Sequence, residues 1–94
     1  MKTKQITLGE LREEIDLVDT LLIRCLAKRQ EIVKEVAEIK KKENLPVFQP
    51  ERERILLEKR KKLASLLNID SNLVMSIFQN ILDNSRKVQE TKWR

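Results

Sequence analysis

"LGELREEIDLVDTLLIRCLAKRQEIVKEVAEIKKK", residues 8–42, contains no proline, and the chain meets none until Pro46. The preceding "TLGE" at 7–10 has the form of a capping box, with Thr7 as N-cap and Glu10 reaching back to it. The pattern predicts one helix from about Leu8 to about Lys42. Leu8, Ile15, Leu22, Arg29 and Val36 share one heptad position, and Leu11, Val18, Cys25, Ile32 and Ile39 share the other. Such a helix is about 50 Å long, whereas a globule built from a chain of this size is only about 30 Å across. It overhangs its own domain, and an apolar stripe that continues past the domain in water calls for a second chain. The expectation is an all-α fold, three helices per chain in an intertwined homodimer.

Pro46 ends the first helix, and Pro50 suits the first turn of a second, expected from about Pro50 to Leu67. "NIDSN" at 68–72 is the next break, with Asp70 or Ser71 as N-cap, and a third helix is expected from about Asn72 to about Thr91. Val74, Ile77, Phe78, Ile81 and Leu82 form its apolar face, which Ser85 and Gln89 continue. Residues 1–94 read as one domain, with no internal repeat, linker or further catalytic or regulatory domain expected. The terminal "KWR" at 92–94 carries no assignment.

Composition narrows the chemistry. The 20 basic and 15 acidic residues, net +5, are interleaved along the chain, so they describe a solvated helix surface better than a nucleic-acid arm. One cysteine fits a reducing compartment, and neither a signal peptide nor an apolar run long enough for a membrane appears. A cytoplasmic protein is expected. With no histidine, one cysteine and one glycine, the chain lacks the parts for a histidine triad, a thiolate or histidine metal site, or a glycine-rich phosphate loop. No metal and no cofactor are expected. What remains is chemistry by cations, amides, carboxylates and hydroxyls.

Four polar side chains occupy positions where the periodicity asks for core. Arg29, Ile32, Val33, Val36 and Lys40 are spaced i, i+3, i+4, i+7 and i+11, so a cation closes each end of one stripe. Ser85 and Gln89 do the same on the third helix. A buried polar group without a partner costs about 1–3 kcal/mol, and an unpaired charge more. Taken singly, Arg29 would be met by a carboxylate such as Asp19 or Glu53, and Arg12, Arg52 and Glu53 read as surface charges. Taken together, the set suits a small dianion with a hydroxyl group. Arg12 lies some 40 Å from Lys40 along the helix, so it can reach such a pocket only from the partner subunit of an antiparallel pair.

The order "LREEIDLVDTLLIRCLAKRQEIVKEVAEIK", "PVFQPERER", "IFQNILDNSRKVQ" closely resembles the small all-helical chorismate mutases, from about Leu8 to Thr91 and across all three helices. The resemblance implies an intertwined homodimer that converts chorismate to prephenate on the route to phenylalanine and tyrosine. It assigns the substrate carboxylates to Arg29 and, from the second protomer, Arg12. Lys40 falls between a carboxylate and the ether oxygen, and Gln89 at the ether oxygen. Arg52 is a pocket arginine, Glu53 the acceptor of the substrate hydroxyl, and Ser85 a hydroxyl near a carboxylate. Gln49 stands where well-known relatives place an aspartate that helps to hold the substrate hydroxyl, so recognition of that group departs from the family pattern. Two other readings stay open: an isochorismate pyruvate-lyase on the same scaffold, and a non-catalytic dimerisation module whose polar residues set register.

Overall fold

The structure, a computed structural model, describes residues 5–93, with side chains described through Thr91. It contains three helices, α1 (Leu8–Lys42), α2 (Pro50–Leu66) and α3 (Ser71–Trp93), and no strand among the described residues. No helix among those residues is long and apolar enough to cross a membrane. By its contacts the chain divides into two units after Glu31.

The first unit is the leading part of α1. Thr7 caps it: its Oγ1 accepts from the Glu10 N–H at 3.1 Å, and its carbonyl accepts from Leu11. None of its described residues is buried, and both heptad rows are open, Ile15 and Leu22 each being 58% exposed.

The second unit holds the end of α1 together with α2 and α3, which pack against each other. Its buried apolar residues are Ala37, Leu56, Ala64 and Leu82. The helix ends follow local chemistry. Pro50 begins α2 behind Gln49, whose carbonyl accepts from the Glu53 N–H at 3.1 Å. Asp70, rather than Ser71, caps α3, its Oδ1 accepting from the Asn72 N–H at 2.9 Å. Helix α3 therefore begins at Ser71, one residue before the expected start, and runs to Trp93, past the expected end at Thr91.

Helices α1 and α2 end in the same way. Asn44 and Asn68 adopt the left-handed conformation, at φ 56° and 55°. After α1, the Leu45 N–H donates to the Lys40 carbonyl at 2.8 Å and the Asn44 N–H to the Lys41 carbonyl at 3.3 Å. After α2, Ile69 donates to Ala64 at 2.9 Å and Asn68 to Ser65 at 3.2 Å. Both are Schellman caps with asparagine in the position glycine usually takes. This cap stops α2 at Leu66, one residue short of the expected Leu67.

Replacing Asn68 by alanine puts a Cβ with no compensating side-chain polarity into the left-handed region and should cost about 1 kcal/mol, whereas Asn68→Gly should not. Urea denaturation of the two variants measures the difference; equal loss in both would assign the cap another source of stability.

Candidate active site

The Lys40 carbonyl accepts the outer bond of the Schellman cap, from the Leu45 N–H, so the cap fixes its backbone. The turn that follows brings Val47 back against it. The Lys40 ammonium donates to the Val47 carbonyl at 2.8 Å and to Oε1 of Gln89, on α3, at 2.7 Å. Both acceptors are neutral, and no carboxylate among the described residues lies within ion-pair distance of this nitrogen. An ammonium has three N–H donors, so one remains.

Gln89 is buried, at 6% exposure. Because an ammonium only donates, the amide turns its oxygen to Lys40 and its NH2 away from it. One of these N–H groups reaches the Ser85 carbonyl at 3.3 Å, and the other makes no bond to a described residue. Ser85 is also buried, and its hydroxyl donates to the Ile81 carbonyl one turn back at 2.8 Å. The polar extension of the α3 stripe is thus held by its own helix and by Lys40.

Burial lowers the Lys40 pKa from the ordinary 10.5, and the negative charge of Glu53 opposes that shift. Glu53 is bound elsewhere. Its Oε1 accepts from Arg86, whose other terminal nitrogen donates to Asp83, and the guanidinium stacks 5.0 Å over the Phe48 ring. With Arg54 and Gln79, the pair forms the polar side of an open cavity of about 330 Å³, with Phe48, Pro50 and Leu57 on its apolar side.

The structure therefore brings Lys40, Gln89 and Ser85 together, with Glu53 near enough to act on the lysine's charge. Gln49 is half-buried at the N-cap of α2, with no capping bond from its side chain, and Arg52 is exposed on the first turn. Arg12 and Arg29 belong to the first unit, Arg12 exposed and Arg29 half-buried. Two contributors escaped the sequence reading. The Val47 carbonyl is backbone and leaves no residue signature. Arg86, one position from Ser85 and one turn before Gln89, reads in "NSRKVQ" as surface charge, although its place beside two stripe residues was the available signal.

The described residues thus form a helical scaffold on which a cation and an amide are fixed side by side. The chain matches the family profile of chorismate mutase type II over residues 11–90, and it belongs to that family. It is 34% identical to the chorismate mutase of Methanocaldococcus jannaschii over 83 residues, which cover 88% of this chain and 84% of that protein. It is 38% identical to the T-protein of Enterobacter agglomerans over 90% of this chain but only 23% of that protein. The bifunctional chorismate mutase/prephenate dehydratase of Escherichia coli K12 is 34% identical over 94% of this chain, again 23% of its own length.

Because burial disfavours the charged form, Lys40 should lose its proton before an ordinary lysine does as the pH rises. A nuclear magnetic resonance titration of the lysine side chains should place its midpoint below 10.5. Glu53→Gln should lower it further; an unchanged midpoint in that variant would remove Glu53 from the lysine's surroundings.

Proposed function

We propose that the chain is an isomerase that converts chorismate to prephenate, in the pathway to phenylalanine and tyrosine, as an intertwined homodimer in the cytoplasm. The observation that carries this reading is the Lys40 ammonium, held by two neutral acceptors with a third N–H to spare. The exposed heptad rows of the first unit support the dimer. Most helical stability comes from packing an apolar face, and the open Ile15 and Leu22 need a second copy to cover them. In the dimer, residues 1–94 form a single chorismate mutase-like domain completed by the other chain.

The reaction is an intramolecular Claisen rearrangement. The ether C–O bond breaks as a C–C bond forms between the enolpyruvyl arm and the ring, and no atom enters or leaves. The enzyme needs neither a nucleophile nor a proton transfer. It has to hold the arm over the ring and stabilise the negative charge that grows on the ether oxygen. Arg29, and Arg12 of the partner subunit, grip the two carboxylates, which fixes the compact conformation. Arg52 adds positive charge at the mouth, Ser85 lies near a carboxylate, and Glu53 accepts from the ring hydroxyl, with Gln49 in reach of the same group. The free N–H of Lys40 and that of Gln89 converge on the ether oxygen as donors already in place before charge develops.

Loss of absorbance from chorismate mixed with the purified protein, with prephenate as product, is the direct test; salicylate and pyruvate formed from isochorismate would instead identify the lyase. Removing one such preorganised donor typically costs about 100- to 1,000-fold in rate, and Gln89→Ala should fall in that range. Gln89→Glu donates only while protonated, so its activity should fall as pH rises through the neutral range, while the parent stays much flatter. Identical profiles would take Gln89 out of the mechanism. Arg12→Ala and Lys40→Ala homodimers should both be inactive and should regain part of their activity when mixed and allowed to exchange chains. Demonstrated exchange without recovery would mean that the site is not shared.

A further inference from the structure

We propose that Arg86 is a positioning residue for this reaction: seated on the Phe48 ring and tied to Asp83, its guanidinium holds the Glu53 carboxylate in place for the substrate hydroxyl and off the Lys40 ammonium. The inference rests on the function proposed above.

Arg86 is anchored on three sides, by Phe48, Asp83 and Glu53. Its side chain and that of Glu53 are only 23% and 17% exposed. Only one Glu53 oxygen is taken, and Oε2 makes no hydrogen bond to a described residue, so it is available as an acceptor. The surroundings of Lys40 explain why restraint is needed. From α2 it feels Glu53; from α3 it meets the neutral Gln89, beyond which stand Arg86 and the acids that surround Arg86, namely Asp83 and Glu90. Glu53 is the carboxylate whose charge reaches the lysine, and its ion pair among the described residues is with Arg86. A direct Lys40–Glu53 ion pair would neutralise the cation meant for the substrate and withdraw the acceptor meant for its hydroxyl. Arg86 prevents both. A guanidinium suits this task because its fork bridges two carboxylates at once while its flat face rests on an aromatic ring, which a lysine ammonium cannot do.

The test replaces Arg86 with methionine, which keeps an unbranched apolar stem over Phe48 and removes both ion pairs. Arg86→Gln, which retains a donor for Glu53 without the charge, is the second variant should the first not fold. Both are checked by circular dichroism and sedimentation against the parent. Two measurements follow: kcat/KM for chorismate against pH, and the titration of Lys40 by nuclear magnetic resonance in the unliganded protein. With Glu53 released onto Lys40, kcat/KM should fall about 10- to 100-fold, as misplacement of a catalytic group does. The Lys40 midpoint should move to higher pH in the folded variant. Adding Glu53→Gln to Arg86→Met should return that midpoint to the parent's position or below it, a reversal that a loss of packing alone would not produce. A folded Arg86 variant whose Lys40 midpoint stays where it is in the parent overturns the inference, whatever its rate. A parent that leaves chorismate untouched overturns the proposed function instead, and the titration then reads the Arg86–Glu53–Lys40 coupling by itself.

Discussion

A lysine ammonium in a partly buried position has lost some of its water, and everything about the candidate site follows from how Lys40 is compensated. A carboxylate would satisfy it most strongly and would also cancel it. Here the replacements are a backbone carbonyl and a side-chain amide, which offer dipoles without charge. No carboxylate among the described residues pairs with the cation. Its lowered pKa records the cost of that arrangement, because burial acts on it more than the Glu53 charge does.

The backbone makes this possible over a short stretch. The Lys40 carbonyl takes the Leu45 N–H in the cap of α1, Asn44 turns left-handed, and the chain reverses through Pro46 to present the Val47 carbonyl to the Lys40 side chain. The same residue is therefore held at both ends, by its carbonyl in the cap and by its ammonium in the turn. Pro50 then starts α2, which places Glu53 one turn in, half-buried and close enough to bias the lysine. The second Schellman cap, at Asn68, has no such task and leads only to the Asp70 cap of α3. One local device is used twice, once for connection alone and once also to seat the Lys40 side chain.

Much of this was legible in the sequence because the informative residues break a pattern. Lys40, Ser85 and Gln89 stand out as polar residues on apolar stripes, and the structure gathers those three. The starts of α1 and α2 were legible from Thr7 and Pro50, whereas the start of α3 was narrowed only to Asp70 or Ser71, of which Asp70 caps. The ends were less so: α2 stops at Leu66 because a left-handed Asn68 reverses the chain, and asparagine announces that conformation less plainly than glycine does. Arg86 was hidden for a different reason. It lies beside two stripe residues but off the stripe and next to Lys87, so periodicity alone assigns it to the surface although it pairs across helices. The Val47 carbonyl could not be read at all, since a backbone acceptor is independent of residue type.

The contrast between Arg86 and Lys40 bears on what the polar residues are for. If buried polar groups in this chain served only to set helix register, each cation would be expected to find an internal anion, as charged groups withdrawn from water generally do. Arg86 does, with two carboxylates and an aromatic face. Lys40, in the same unit, does not, although Glu53 is near enough for its charge to be felt. A carboxylate was at hand and is bound to the other cation. That division of labour has no purpose in a dimerisation module, where pairing Lys40 with Glu53 would stabilise the fold more simply. Under the function proposed above it has one: one cation is neutralised to hold the scaffold and the other stays charged for the dianion.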